Sequence, residues 1–469
     1  MVQKYKSFRQ KYKTFIYNGY TVTEDDNKID IVYDFEVPGL SKFAPTWSFP
    51  KKSGDGAFKG DAVFKKLAFS LGMVELVSYW KIACPPKVMV KCGYLDNDMI
   101  KWWKSLYFNG LGEFYYTNGI TDENENDFME IVVGSGENRD ADNVYVRSDG
   151  QKKLDGCLIP IGGGKDSALT LDILKGEKET NWCYIINPRG ATIETYKAAG
   201  YSDEKVIAAK RTLDKNMLEL NKAGYLNGHT PFSAIVAFSA TIASYINGLK
   251  YIVLSNESSA NESTVEGSYV NHQYSKSFRF EKDFHDYEAK YIKSGTYYFS
   301  LLRPMSEFQI AEHFSKCTEY HDIFKSCNVG SKEDIWCGHC PKCLFVWLIL
   351  SPFISQKRLA GIFGRNMADD SEMKHYFSQL IGMEKEKPFE CVGSRDEINA
   401  AITLTIRDFD KGINKGDSLP YLFNYYIELG MYDKNLSDCE RYFDFFDDEN
   451  LIPDKYMELL NKRGIGSTK

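Results

Sequence analysis

The stretch Cys157-Leu158-Ile159-Pro160-Ile161-Gly162-Gly163-Gly164-Lys165-Asp166-Ser167 constrains this chain more than any other. A short apolar run ends in three glycines, then Lys, Asp and Ser, and residues 168–174 carry apolar side chains at helical spacing. The pattern is strand, Gly-rich turn, helix start, a geometry that aims backbone N–H groups at an anion. Glycine has no Cβ to hold a phosphate away from the backbone. Asp166 and Ser167 are expected to cap the new helix, and Lys165 to add a mobile positive charge. An ordinary strand-to-helix turn in an α/β domain reads similarly; the six residues Gly162 to Ser167 tip the balance to a nucleotide.

Two familiar Gly-rich loops fit worse. The P-loop pattern needs Gly where Ile159 stands and Ser or Thr where Asp166 stands. The dinucleotide pattern G-x-G-x-x-G is broken by Asp166 and Ser167. The stretch resembles instead the PP-loop, S-G-G-x-D-S, of the ATP pyrophosphatases, enzymes that release pyrophosphate from ATP while forming an adenylate. Gly162 stands where that wider pattern has Ser.

A chain of 469 residues accommodates two to four domains. A net charge of −7 leaves no footprint for DNA or RNA over the whole chain. Residues 1–15 are basic without an apolar core, unlike a secretory signal. The longest apolar run, residues 343–350, is far short of a membrane span. Eleven cysteines without such a signal point to reduced thiols in the cytoplasm.

Along the chain, Ile29, Ile31, Tyr33, Phe35 and Val37 mark a half-buried strand, with Asp25-Asp26-Asn27-Lys28 as the turn of a hairpin to residues 14–20. Residues 61–80 and 96–107 read as helices around a strand at 88–92. Gly110-Leu111-Gly112-Glu113-Phe114 follows, where Glu113 could face a ligand. Residues 122–156, acidic and then polar and Gly-broken, read as a surface connection. After the Gly-rich turn come a strand at 182–187, a helix at 231–247 and a strand at 251–254. The last ends in Ser255-Asn256-Glu257, a polar cluster at the strand end where doubly wound sheets hold ligands.

Val270-Asn271-His272-Gln273-Tyr274-Ser275-Lys276-Ser277 is dense in hydrogen-bonding side chains, and His272 titrates near neutrality. Its neighbours Asn271, Gln273 and Tyr274 are expected to hold it in place. Cys327 and the run Cys337-Gly338-His339-Cys340-Pro341-Lys342-Cys343 could close a four-thiolate zinc site. Buried free thiols and an iron–sulfur cluster are the alternatives. From about residue 358 the chain reads as helical and aromatic, interrupted by a loop in which Glu390 and Cys391 are possible acid–base groups.

The order GGGKDS, Ser255-Asn256-Glu257, Arg303-Pro304-Met305 and then four cysteines is similar to the 7-cyano-7-deazaguanine synthases over roughly residues 156–351. A closer resemblance is to the MurL family, ATP-dependent UDP-N-acetylmuramoyl-L-alanyl-L-glutamate epimerases of peptidoglycan synthesis. It is carried by Leu71-Gly72-Met73-Val74-Glu75-Leu76, residues 110–114, 161–167, 270–277, 337–343 and 387–393. The resemblance implies an α/β fold with three parts: an α+β domain at 1–150, a Rossmann-like adenine nucleotide α-hydrolase (PP-loop) domain at 151–357, and a helical C-terminal region at 358–469. ATP is expected at Gly162, Gly163, Gly164, Lys165, Asp166, Ser167, Asn256 and Glu257, with Mg2+ on its phosphates and a structural zinc on Cys327, Cys337, Cys340 and Cys343.

The implied chemistry is coherent. A carboxylate resists loss of its own Cα proton, because a second negative charge would form beside the first. Converting it to an acyl adenylate removes that charge and lets nearby donors stabilise the enolate. His272, Tyr274 and Cys391 are the candidates for proton transfer. The expected partners are small molecules, ATP and a UDP-muramoyl dipeptide, with neither nucleic acid nor membrane. Rival readings are another adenylating enzyme (a nitrile synthase or amide ligase), a PP-loop tRNA-modifying enzyme, and a non-catalytic nucleotide-binding module.

Overall fold

A computed structural model describes residues 2–52, 57–134 and 154–466. Strands β1 (Thr14–Glu24) and β2 (Lys28–Val37) form the expected antiparallel hairpin. Its turn closes on Asp25, whose Oδ1 accepts the N–H of Asn27 at 2.8 Å and of Lys28 at 2.9 Å. Alternation along β2 buries Ile29, Ile31, Tyr33, Phe35 and Val37 on one face. Strands β3 (Ser41–Phe43) and β4 (Thr46–Pro50) pair with β2, and β5 (Lys87–Val90) runs parallel to β1.

β6 (Glu130–Val133) runs parallel to β5 and buries Ile131. Here the expected surface connection is corrected: part of it is an edge strand. Four residues carry too little alternation to announce it. Residues 135–153 of that connection, and with them the boundary expected near residue 150, lie outside the described residues.

The remaining strands are β7 (Cys157–Pro160), β8 (Asn181–Ile186), β9 (Val206–Thr212), β10 (Tyr251–Leu254) and β11 (Tyr297–Ser300). They lie parallel in the order β9-β8-β7-β10-β11. The chain starts at the middle, builds outward to β9, then crosses to the other side of β7. The order reverses at the carboxyl ends of β7 and β10, the place where doubly wound sheets as a class hold ligands. β4 pairs antiparallel with β9, so the eleven strands make one continuous mixed sheet.

The joint between the halves is held from below by the helix Ala62–Trp80, which starts at Asp61, the acceptor for the Phe64 N–H at 2.7 Å. It is apolar nearly all round and buried nearly all round, as such a helix must be. Gly72 is required there, since an ideal Cβ would lie 2.0 Å from the Tyr17 hydroxyl. One turn on, Glu75 is fully buried, with 0% of its side chain exposed. Its carboxylate accepts from Trp47 Nε1 on β4 at 3.2 Å and from Arg211 on β9, Nε at 3.0 Å and Nη2 at 2.7 Å. Trp47 and Arg211 are direct partners across the β4–β9 pairing. Removing the carboxylate strands a buried guanidinium, so Glu75→Ala should cost about 3–5 kcal/mol of stability in denaturant unfolding. A loss under ~1 kcal/mol would mean that the pair is solvated like a surface bridge.

The region from residue 358 on is helical, and its helix Arg395–Arg407 packs on the helix Pro341–Leu350 that follows the cysteines. The end of the chain returns to the parallel half of the sheet. Tyr456 Oη meets Cys157 Sγ at 2.6 Å, and Arg463 Nη1 donates to Asp172 Oδ2 at 2.5 Å. Among the described residues no helix is long and apolar enough to cross a membrane.

Candidate active site

The Gly-rich turn leaves β7 and enters the helix Lys165–Ile173. Gly164 is its N-cap, in extended conformation and without a side-chain cap. The capping role expected of Asp166 and Ser167 is therefore corrected. Both already lie in the first turn, where Ser167 donates its hydroxyl back to the Gly164 carbonyl at 3.1 Å. The uncapped N–H groups of that turn stay available to an anion. Gly163 has φ +82°, and an ideal Cβ would stand 3.1 Å from Ala191. Its carbonyl accepts the Lys325 N–H at 2.8 Å. Gly162 is exposed, and nothing lies within 4 Å of its ideal Cβ. Gly163 thus serves the backbone path, whereas Gly162 keeps the approach to the turn open.

Lys165 is not the mobile charge expected. Its side chain is buried and ion-paired with both Asp166 and Glu307. Burial disfavours the ammonium, but these two carboxylates override it and hold the pKa above the ordinary lysine range. Asp166, Glu257 and Glu307 offer oxygens all within 4.8 Å of one another. Burial pushes the Glu307 carboxyl up, helped by Asp166 and Glu257 and opposed by Lys165. Lys276 and Lys342 also face this cluster; its three converging carboxylates are hard oxygen ligands of the kind a divalent cation takes. Nothing local in the sequence marks Glu307, because it opens a helix 140 residues from the turn and only the tertiary fold brings it beside Asp166 and Glu257.

Asn256 and Glu257 follow β10 as expected. Asn256 Nδ2 donates to Ser300 Oγ at 3.1 Å, and the Glu257 carbonyl accepts from Arg303 Nη1 at 2.5 Å. Arg303 is fully buried, bonds Glu281 Oε2 at 2.9 Å and also donates to the Lys276 carbonyl. One guanidinium thereby fixes the strand end and the 270–277 segment together.

On that segment His272 faces Cys391, as a hydrogen-bonded pair. Burial disfavours the imidazolium, yet Cys391 and Glu113 outweigh it and hold His272 at about 9. Burial likewise opposes the Cys391 thiolate, but Lys276, then His272 and Lys342, bring the thiol down to about 6. A thiolate–imidazolium pair results at neutral pH. Lys276 ties it to the carboxylates beside the Gly-rich turn: burial lowers its pKa, and the charges of Cys391, Glu257 and Asp166 more than restore it. Lys342 donates to the Cys391 carbonyl.

Glu113, flagged by its Gly-flanked position, bonds His272 Nδ1 through Oε2. The same oxygen lies 3.6 Å from His229 Nδ1. The neighbours expected to hold His272 do so only through the backbone. Asn271 Oδ1 accepts from the Gln273 N–H at 2.7 Å, and Gln273 Nε2 reaches the Val392 carbonyl at 3.0 Å. Tyr274 points elsewhere: Arg279 lies over its ring at 5.8 Å, and its hydroxyl faces Ser105. Glu390 is bonded by Asn328 and raised by burial.

The four cysteines do converge. Sγ–Sγ separations are 3.8 Å for Cys327–Cys340, 3.7 Å for Cys337–Cys343 and 3.4 Å for Cys340–Cys343. A tetrahedron with bonds of about 2.3 Å has edges of about 3.8 Å, so the set fits zinc. Gly330 N–H and Cys343 N–H point at two of the sulfurs, at 3.2 and 3.4 Å, which favours thiolates. Cys340 also caps the helix that carries Lys342.

The chain matches the family model described as the MurL N-terminal domain over residues 6–301, and that of the MurL C-terminal domain over residues 323–414. The UDP-N-acetyl-alpha-D-muramoyl-L-alanyl-L-glutamate epimerase of Xanthomonas oryzae pv. oryzae is 34% identical over 345 residues, 71% of this chain and 73% of that protein. The epimerase of the same description from Salinispora tropica is 32% identical over 384 residues, 80% of this chain and 81% of its own. That of a Micromonospora species is 33% identical over 341 residues, 71% and 73% respectively. No solved structure matches significantly. The Gly-rich turn, Glu113, His229 and His272 fall in the first matched span, and the cysteine cluster with Lys342 and Cys391 in the second. With both spans and all three relatives in agreement, the chain belongs to the MurL family.

Proposed function

We propose that this protein inverts the Cα centre of the terminal L-glutamate of UDP-N-acetylmuramoyl-L-alanyl-L-glutamate, giving the D-glutamate epimer for peptidoglycan synthesis, with ATP consumed to AMP and pyrophosphate. The observation that carries the mechanism is the Cys391–His272 pair tied by Lys276 to the carboxylates of the Gly-rich turn. The parallel half of the sheet, with GGGKDS at its central strand, supports a Rossmann-like PP-loop reading of the nucleotide site.

In this reading the N–H groups of residues 163–167 receive phosphate, and Asn256 lies at the neighbouring strand end. Asp166, Glu257 and Glu307 would hold Mg2+, which neutralises phosphate charge when bound. Lys165 is then released from Glu307 toward the phosphates. The glutamate carboxylate attacks the α-phosphorus and pyrophosphate leaves. Lys276 lies between the nucleotide carboxylates and Cys391, where it stabilises the acyl oxygen as enolate charge develops. Cys391 as thiolate takes the Cα proton and His272 receives it. Hydrolysis releases product and AMP. Eleven free thiols suit the cytoplasm, and the four clustered ones suit a structural zinc.

The test is product analysis in heavy water. The muramoyl dipeptide with ATP should yield AMP, pyrophosphate and Cα-deuterated epimers. Ammonia dependence would favour an amide or nitrile synthase instead. Gly162→Val should abolish AMP formation and leave the thermal midpoint unchanged, because only the ligand side of that glycine is open. Gly163→Val would confuse the result, since its backbone conformation itself demands glycine. Normal ATP turnover in Gly162→Val would move the phosphate site elsewhere.

A further inference from the structure

Inversion at carbon needs two proton-transfer groups, one for each face. Cys391 and His272 are bonded to each other and supply one. We infer that His229 supplies the other, joined to Cys391 through His272 and Glu113 in one line of contacts, and this rests on the epimerase reading above.

The geometry is specific. Glu113 Oε2 bonds His272 Nδ1, and the same oxygen lies 3.6 Å from His229 Nδ1. The two imidazole rings are 4.4 Å apart between centroids and tilted by 44°. The ligand atoms of Glu113, His229 and His272 all fall within 4.8 Å of one another. His229 keeps 22% of its side chain exposed, and its ring makes no hydrogen bond among the described residues. That exposure leaves the imidazole reachable by a substrate while its Nδ1 faces the Glu113 carboxylate. The loop that carries it is nonetheless firmly held. Lys81 donates to the Gly228 carbonyl, Asn118 Nδ2 donates to the Asn227 carbonyl at 3.3 Å, and Gly228 packs on Phe114 of the helix that bears Glu113. At 3.6 Å the Glu113–His229 contact is longer than a hydrogen bond; a shift of under an ångström closes it.

The protonation states complete a cycle. Burial, with the cations of His272, Lys81 and Lys276 around it, lowers His229 to about 3, so it rests neutral. Cys391 rests as thiolate and His272 as imidazolium. The Cα–H bond breaks with its proton passing to Sγ, and its electron pair enters the enolate of the acyl adenylate. The His272 proton crosses Glu113 to His229, which delivers it to the opposite face of Cα and forms the new C–H bond. The Cys391 thiol then returns its proton to His272. Each group ends as it began, and no proton is gained or lost. The reverse direction runs the same line backwards, with neutral His229 as the base.

The test separates exchange from inversion. Both epimers of the dipeptide are incubated separately with ATP in heavy water, using the whole chain with Cys391→Ala and with His229→Asn. Each variant should lose epimerisation by on the order of 1,000-fold. Each should still exchange Cα hydrogen on one epimer only, and the two variants should retain it on opposite epimers. A proton lifted from one face then returns to that face, because the second donor is missing. If His229 merely supports Glu113, His229→Asn and His229→Gln lower exchange equally from both epimers, and the inference falls. Unchanged inversion in both histidine variants overturns it as well. Pyrophosphate release reports that each variant is folded and adenylating. A wild-type protein that turns over ATP without any Cα exchange sinks the epimerase reading, and this inference with it.

Discussion

Iodoacetamide at pH 7 is expected to modify Cys391 ahead of the buried thiols and to abolish epimerisation. Burial raises Cys84, Cys92, Cys157, Cys183, Cys317 and Cys439 above the ordinary thiol range, so these stay protonated and unreactive. Cys391 differs because three cations face it, Lys276, His272 and Lys342, and their attraction outweighs burial. Its labelling rate should rise through about pH 6. The same groups set the pH range of turnover. Below about 6 the thiolate gains a proton and can no longer accept one from Cα. Above about 9 His272 loses the proton that the cycle needs. A bell with limbs near these values is the expected profile of kcat/KM. Removing the thiol or blocking it should cost about 10²–10⁴-fold in rate. Labelling of Cys391 with an ordinary midpoint, in the range of a free thiol, would show that the cations do not act on it.

The second large effect concerns zinc. Metal analysis should give about one zinc per chain, held by four thiolates with no open position. Binding of such a metal is worth about 10–16 kcal/mol in small zinc modules, so chelation or Cys340→Ser should unfold the local structure. The consequence should reach the nucleotide. Cys327 follows Lys325 and Ser326 directly; the Lys325 N–H bonds the Gly163 carbonyl at 2.8 Å, and Ser326 Cβ lies 3.3 Å from where a Cβ on Gly164 would stand. Cys340 caps the helix that aims Lys342 at Cys391. Loss of the metal should therefore weaken ATP binding and proton transfer together, read by pyrophosphate release and Cα exchange. A metal-free preparation of equal thermal midpoint and full activity would remove zinc from the account.

Local chemistry made much of the chain legible. The alternation from Ile29 to Val37, the turn at residues 25–28 and the Gly-rich stretch each act over a few residues, and the folded chain forms each element where its sequence indicates. Cysteine spacing worked for the same reason, since three of the four thiols lie within one turn and a loop. The cap falls on Gly164 rather than on Asp166 or Ser167, because glycine takes the extended cap conformation itself. Lys165 differs from expectation for another reason: its partner Glu307 is distant in sequence, and only the fold sets that second carboxylate against it.

The sequence by itself determined the elements, the Gly-rich strand-to-helix turn and the four-thiol cluster, because backbone preference, side-chain periodicity and close spacing are local forces. Only the tertiary structure decided what the polar residues do. It brought Glu113, His229, His272 and Cys391 from four separated segments into one line, and Glu307 to the carboxylates of the turn. It also turned Tyr274 away from His272, two residues distant in the chain. Ionisation depends on which charges and how much burial surround a group in space, and those surroundings exist only after the sheet has joined its two halves through β4 and β9.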